Sequence, residues 1–464
     1  SADNSGLDVD TNSTVNSLSV SHITPLSIAA GTSLDGAISI SAGSIKLNET
    51  GTLASTVAMS GGKLDADETV TVSGALSHSA DITIDVATDK ILTYSGTAIG
   101  VGANTITLTG GGTFTSGGMT LDNADSKLLL NSITLDSAST SANNLGLEVD
   151  ANSTVSDFEV GHTTPVSIAQ GVTLSGVVEV SAGSIKLDKK GTLASNVVMS
   201  GGNLEADETA TVSGALSHSA DITIDVANTK TLTYSGTAIG VGAHTITLTG
   251  GGTLTSGGII LNNAQSKLLL NSIILDSAST SSNSLGLDVD TNSTITSLSV
   301  GHITPLSIAT GKRLSGAVTV SAGSIKINET GTIASTVSMS GGTLDVDESS
   351  TLSGALTQSG DITIDVATGK TLTYSYSVNA LNLGANTLTL SGGGTFKNTN
   401  AVVLNNADSL LSMADTLTLE WVNVTANSNT NKGLVVNASG TISSLKIFGT
   451  TSLKIADGIT LNGG

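Results

Sequence analysis

Short runs of alternating apolar and polar residues, broken by small residues, fill the chain from end to end. In residues 32–51, Ile38 and Ile40 alternate with Ser39 and Ser41. Ala42 and Gly43 interrupt, and Ile45 and Leu47 then alternate with Lys46 and Asn48. Period-two alternation predicts strands with one buried face, and no comparable stretch carries the i, i+3, i+4 spacing of an amphipathic helix. Strands this short, joined by Gly, Ser, Asn and Asp and recurring every ~20 residues, predict the coils of a parallel β-solenoid.

The pattern also repeats on a longer scale. Gly6-Leu7-Asp8-Val9-Asp10 returns as Gly146-Leu147-Glu148-Val149-Asp150 and as Gly286-Leu287-Asp288-Val289-Asp290, a period of 140 residues. Each period divides into seven pieces of 18 to 22 residues, so one superrepeat is seven coils. The expected organisation is residues 1–31 as the last coils of a preceding unit, then superrepeats at 32–171, 172–311 and 312–458, with 459–464 opening a further unit. Residues 453–463 stand where 306–316 stand in the third copy, and the first residue is Ser1, so the chain reads as part of a longer array. At a coil spacing of about 4.8 Å, roughly 23 coils would extend on the order of 110 Å.

Aligning consecutive pieces stacks Ile45, Leu64, Ile82 and Ile106 in one inward column, and Leu47, Ala66, Ile84 and Leu108 in the next. Each buried aliphatic contributes about 1.5–3 kcal/mol. The glycine triplets at 110–112, 250–252 and 392–394 fit corners with unusual backbone angles; no Gly-Lys-Ser/Thr follows, which argues against a phosphate loop. The third copy is looser: Tyr374-Ser375-Tyr376-Ser377-Val378 breaks the match, and Gly433 follows Gly286 by 147 residues. Trp421, the single tryptophan, lies in this altered stretch, where longer corners or a specific contact surface are the two readings.

Composition narrows the function classes. Aromatics are 2%, prolines number three (Pro25, Pro165, Pro305), glycines 54 and cysteines none, while 38% of residues are hydrophobic. The core is therefore thin and aliphatic, and no disulfide or thiolate metal site exists. Net charge is −21, and Arg313 is the sole arginine, which excludes a nucleic-acid surface built on clustered basic residues. No run of 18 apolar residues suggests membrane insertion.

The outward positions carry the candidate chemistry. The same alignment stacks Lys46, Asp65 and Thr83, then Lys186, Glu205 and Thr223, then Lys326, Asp345 and Thr363. Such exposed pairs contribute around 0.2–1 kcal/mol and help pin register. One outward position along, Asn48, Asp67 and Asp85 stack, as do Asp188, Asp207 and Asp225, and Asn328, Asp347 and Asp365. Carboxylates about 5 Å apart repel. Calcium, ligated by oxygen atoms of Asp67, Asp85, Asp188, Asp207, Asp225, Asp347 and Asp365, is the one cofactor this pattern suggests; solvated carboxylates splayed apart are the alternative. Asp8-Val9-Asp10-Thr11-Asn12 begins like a helix–loop–helix calcium loop but has Ser13 at the sixth place and Ser19 at the twelfth, so that assignment fails. His22, His162 and His302 precede the three prolines, one per superrepeat, and read as corner residues, too far apart to share a metal. His78 and His218 give way to Gln358 in the third copy, which weakens a catalytic reading of them. Asn-x-Ser/Thr sequons at Asn12, Asn48, Asn152, Asn292, Asn328, Asn423 and Asn437 are expected at the surface.

Runs such as Asp81-Ile82-Thr83-Ile84-Asp85-Val86 and Thr105-Ile106-Thr107-Leu108-Thr109 give the whole chain a resemblance to the β-solenoid passengers of large bacterial surface proteins, filamentous-haemagglutinin-like adhesins and autotransporters. The resemblance implies secretion, an extracellular or cell-surface place, and contact with a host or neighbour. The expected function is a structural or adhesive rod or filament without catalysis, associating end to end and taking a cell-surface or polysaccharide ligand. Two other readings stand beside it. A polysaccharide-degrading β-helix enzyme needs paired carboxylates in an aromatic-lined groove, and an ice-binding solenoid needs a sustained Thr-x-Thr face.

Overall fold

The structure, a computed structural model, describes residues 5–420, 422–426, 430–442, 445–448 and 451–463. The chain divides into two compact units, Ser1–Gly236 and Thr237–Gly464, and each is a parallel β-solenoid. No helix occurs among the described residues. The described strands of the first sheet number twelve in the first unit and eleven in the second.

Each coil places one strand on this first sheet, turns, and returns along a second sheet as one long strand or two short ones. Ser44–Leu47 lies on the first sheet and Thr52–Leu53 and Thr56–Met59 on the second; the next coil repeats this with Lys63–Ala66, then Val70–Val72 and Leu76–His78. Ser33–Ile40 is an undivided return strand. In the coil of residues 52–59 and its two counterparts, a small buried residue makes the bend. Ser55, Ser195 and Ser335 are buried there, and their hydroxyls donate to the carbonyls of Leu34, Leu174 and Leu314 at 3.1–3.3 Å. A buried hydroxyl needs such a partner.

The core is built of inward columns, as the alternation predicts. Ile45, Leu64, Ile84, Leu108, Leu130 and Val149 stack in register, each at most 1% exposed. The expected column differs at its third place. Alignment put Ile82 beside Leu64 and Ile84 beside Ala66; the structure puts Ile84 beside Leu64 and Val86 beside Ala66, with Ile82 beside Ile106. The corner length is the cause. Three residues lie between Met59 and Lys63, whereas four lie between their register partners His78 and Thr83. The offset between coils therefore grows from 19 residues (78 less 59) to 20 (83 less 63), two more than the 18 of the expected pairing. The same shift recurs as Leu204 beside Ile224 and Leu344 beside Ile364.

The glycine triplets turn corners with positive φ, as at Gly110 (108°) and Gly111 (88°) and again at Gly250 (103°) and Gly251 (87°). A Cβ at Gly110 would come within 2.3 Å of the Val86 carbonyl oxygen, so conformation and space both demand glycine. In the second unit, Leu381–Asn382, Ala401–Leu404, Val422–Ala426 and Leu445–Phe448 form a separate four-stranded sheet, in the region where the repeat is irregular.

Candidate functional site

Alternation that points Ile45, Leu64 and Ile84 inward points Lys46, Asp65 and Asp85 outward on the first sheet. Lys46 lies opposite Asp65 in register, as expected, at 3.8 Å, and reaches diagonally to Asp67 at 3.0 Å. Lys63 bonds Asp65 at 3.2 Å and Asp85 at 2.7 Å. The second superrepeat keeps Lys186 on Glu205 (3.0 Å) and Asp207 (3.6 Å), and the third keeps Lys326 on Asp345 (3.3 Å) and Asp347 (3.2 Å).

The shifted register also corrects the expected acidic stacks. Asp67 does not stack on Asp85, nor Asp207 on Asp225, nor Asp347 on Asp365. Asp85 faces Asp65, Asp225 faces Glu205, and Asp365 faces Asp345. Thr83 accordingly lies opposite Lys63 instead of Asp65. Asp67, Asp207 and Asp347 stand just past their strands, under the lysine of the preceding coil. Asp188 accepts from the Ser167 hydroxyl at 2.6 Å and Asp365 from the Ser391 hydroxyl at 2.5 Å. Lysine ammonium groups and hydroxyls therefore meet most of the carboxylates proposed for calcium. Among the described residues no three His, Asp or Glu side chains gather as a metal-holding group.

Charge on this face is finely placed. Burial raises the Asp65 carboxyl above its ordinary value, with Lys63 opposing. Burial likewise raises Asp345, with Lys326 opposing, and raises Asp225, where Glu205 and Asp207 add to the effect. Lys46 is raised chiefly by its hydrogen bond to Asp67, and Lys186 by its bond to Glu205. The structural difference between superrepeats lies at position 63: Lys63 has Asn203 and Thr343 as its counterparts. Asp85 has a lysine there and Asp225 does not.

A second ion-pair cluster escaped the sequence reading. Glu148 is held by Lys127 from the preceding coil and by Lys189, at 2.6 Å, from two coils further on. These two hydrogen bonds hold its carboxyl below the ordinary value. Lys127 is opposite Gly146, so its contact with Glu148 is diagonal by two residues, a pairing that alignment of facing positions does not search for.

Four of the histidines make contacts at corners or between coils. His22, His162 and His302 sit at corners, and the carbonyl of each accepts from the hydroxyl of Thr24, Thr164 or Thr304 at 3.1–3.2 Å. Pro25 is the third residue of Ile23–Ile28. His78 spans a place where two successive return strands, Leu76–His78 and Ile99–Gly100, lack a ladder of their own: its Nε2 meets the Gly100 carbonyl at 2.9 Å. The sequon residues Asn12, Asn152 and Asn292 accept from the backbone N–H of Ser33, Thr173 and Arg313 at 2.9–3.1 Å, bridging coil to coil.

The outward threonines do not make a continuous face. Thr107 lies between Thr83 and Leu129, and Thr105 next to Lys127, so the Thr-x-Thr run ends after one coil on that side. Trp421 lies outside the described residues, as does the side chain of Asn423. Comparisons with protein-family models, with curated proteins and with solved structures gave no match.

Proposed function

We propose that this chain is an extracellular structural or adhesive surface protein that performs no catalysis. The observation that carries the reading is the recurrence of one outward surface at 140-residue spacing over an aliphatic core: Lys46–Asp65 returns as Lys186–Glu205 and Lys326–Asp345. A repeated surface suits multivalent contact, in which weak sites on one scaffold add to strong attachment. An enzyme has little use for three copies of an ion-pair ladder. The acidic exterior, net −21, favours solubility outside the cell.

Association between copies belongs to the same proposal. A solenoid coil is completed by stacking on a further coil, so ladders can form between copies as well as within one. Sedimentation velocity at rising concentration is expected to show a growing series of species.

Immunogold labelling of intact and permeabilised producing cells tests the location, and incubation with a polysaccharide panel tests catalysis. Label on intact cells and no release of reducing or unsaturated ends are expected. Label confined to permeabilised cells, or sustained release of sugar, would overturn the proposal.

A further inference from the structure

Tyr94, Tyr234 and Tyr374 are equivalent buried residues, and the hydroxyl of each accepts the backbone N–H of Leu76, Leu216 or Leu356 at 3.1 Å. In the first two copies the residue two places on is Gly96 or Gly236. A Cβ on either would lie 2.1 or 2.2 Å from the tyrosine hydroxyl, so the chain closes tightly over the ring. The third copy is built differently. Ten positions separate Tyr94 from Asn104, but twelve separate Tyr374 from Asn386, and the glycine position holds Tyr376.

The longer segment stands off the coil. Tyr376 stacks on Tyr374 with ring centroids 6.5 Å apart and planes 28° from parallel. Between this segment and the strand Leu356–Gln358 a cavity of about 330 Å³ opens, walled by Tyr374, Tyr376, Thr357, Gln358, Asn379 and Asn382 among others. That volume is within the range of about 300–1,000 Å³ for small-molecule sites. Val378, in the same segment, is 75% exposed.

Gln358 supplies the polar anchor. It occupies the place of His78, whose two ring nitrogens meet the carbonyls of Ala80 (3.3 Å) and Gly100 (2.9 Å). Gln358 Nε2 donates to the Leu383 carbonyl at 3.0 Å, which fixes the amide, since a carbonyl can only accept. Its Oε1 is left buried with no partner. A buried acceptor without a donor costs about 1–3 kcal/mol, which a ligand hydroxyl would recover. No charged side chain lines the cavity.

We propose that this cavity binds one ring of a neutral oligosaccharide, with an apolar C–H face on Tyr376 and a hydroxyl donating to Gln358 Oε1. An aromatic plate beside uncharged amides and hydroxyls matches a pyranose ring, which is apolar on its faces and rich in donors at its edge. The inference rests on the adhesive reading, to which it adds a ligand class and a site.

Isothermal titration and saturation-transfer NMR on the full chain, with tetrasaccharides of glucose, galactose, mannose and N-acetylglucosamine and with tetragalacturonate, test it. At least one neutral tetrasaccharide is expected to bind. Tyr376→Ala should weaken that binding about tenfold or more, as truncation of an anchoring aromatic does. Gln358→His, which restores the residue of the other copies, should also weaken it, with both variants keeping the parent unfolding midpoint. Binding by none of the neutral probes, binding only of tetragalacturonate, or binding indifferent to Tyr376→Ala would overturn the proposal. Those outcomes leave surface labelling untouched, so failure of the site and failure of the adhesive reading are separable.

Discussion

Asp225→Asn and Asp85→Asn change the same register position in two superrepeats, and they are expected to move stability in opposite directions. Asp225 faces Glu205 across one strand spacing, with Asn203 where the first copy has Lys63. Two unit charges about 5 Å apart repel by about 3 kcal/mol at the permittivity of a protein surface. Partial exposure and salt reduce this to the scale of cross-strand pairs, so Asp225→Asn should stabilise its coils by roughly 0.5–1 kcal/mol at pH 7. Asp85 instead bonds Lys63 at 2.7 Å, with side-chain exposures of 22% and 33%. Contact attraction at that distance outweighs repulsion from Asp65 one strand away, and Asp85→Asn should cost about 0.3–0.5 kcal/mol. The pH dependence has a definite sign. Burial, with Glu205 and Asp207, raises the Asp225 carboxyl in the folded chain. The fold therefore favours protonated Asp225, and its penalty is absent below the unfolded value of about 3.9 and grows as pH rises through the higher folded value. The gain from Asp225→Asn should accordingly vanish by about pH 3. Unfolding of a long repeat array need not be two-state, so hydrogen exchange of peptides covering Asn203–Ala206 and Ile222–Val226 is the fitting assay. A gain of 0.5–1 kcal/mol is about a two- to fivefold smaller opening constant. Faster exchange in Asp225→Asn at pH 7, or an equal gain at pH 3, would refute the reasoning.

Three further outcomes follow from the core and corners. Tyr234→Phe removes the acceptor of the Leu216 N–H and should cost about 1–3 kcal/mol, read as faster exchange at Leu216–His218 and no change at the equivalent strand Leu76–His78. Ile84→Ala empties a fully buried place in the first-sheet column and should cost about 2–5 kcal/mol; an unchanged thermal midpoint would mean that the column is not packed as described. Gly176→Ala would set a Cβ 1.7 Å from the Val155 carbonyl oxygen at φ 119°, whereas Gly171→Ala, at φ 78°, meets nothing within 4 Å. The second substitution should cost about 1–2 kcal/mol of backbone strain and the first clearly more, so equal midpoints for the two variants would contradict the bend geometry.

Much of this architecture is legible in the sequence, because period two in short runs and a 140-residue repeat leave few alternatives. Lys46 opposite Asp65 could be read directly, since Ser44–Leu47 and Lys63–Ala66 each offer a single phase to the interior. Ile82, Ile84 and Val86 offer three inward residues in a row, so alternation fits two registers equally well. These registers lie two residues apart, and the corner between His78 and Thr83, one residue longer than that between Met59 and Lys63, carries the offset from 19 to 20, a length that hydrophobic pattern does not weigh. The acidic stacks inherited that error. Diagonal contacts, such as Lys127 with Glu148, and side chains that bridge a lapse in the ladder, such as His78, depend on register already being known. The break at Tyr374–Val378 was visible as lost repetition, but a cavity there requires knowing that Gly96 is pressed on the Tyr94 hydroxyl.

Register set by corner length has a consequence for how such a chain can change in size. Gain or loss of one whole 140-residue period exchanges the strand Ser44–Leu47 for Ser184–Leu187, which carries the same Ser-Ile-Lys-Leu and keeps its lysine above an acid. A single residue lost from the corner after His78 would instead move Thr83, Ile84 and Asp85 against new neighbours and turn the aliphatic row outward. Variation by recombination between copies is thus tolerated at one quantum of length, and small insertions are confined to corners, like that after Tyr374, where the chain can leave the stack and rejoin it in phase.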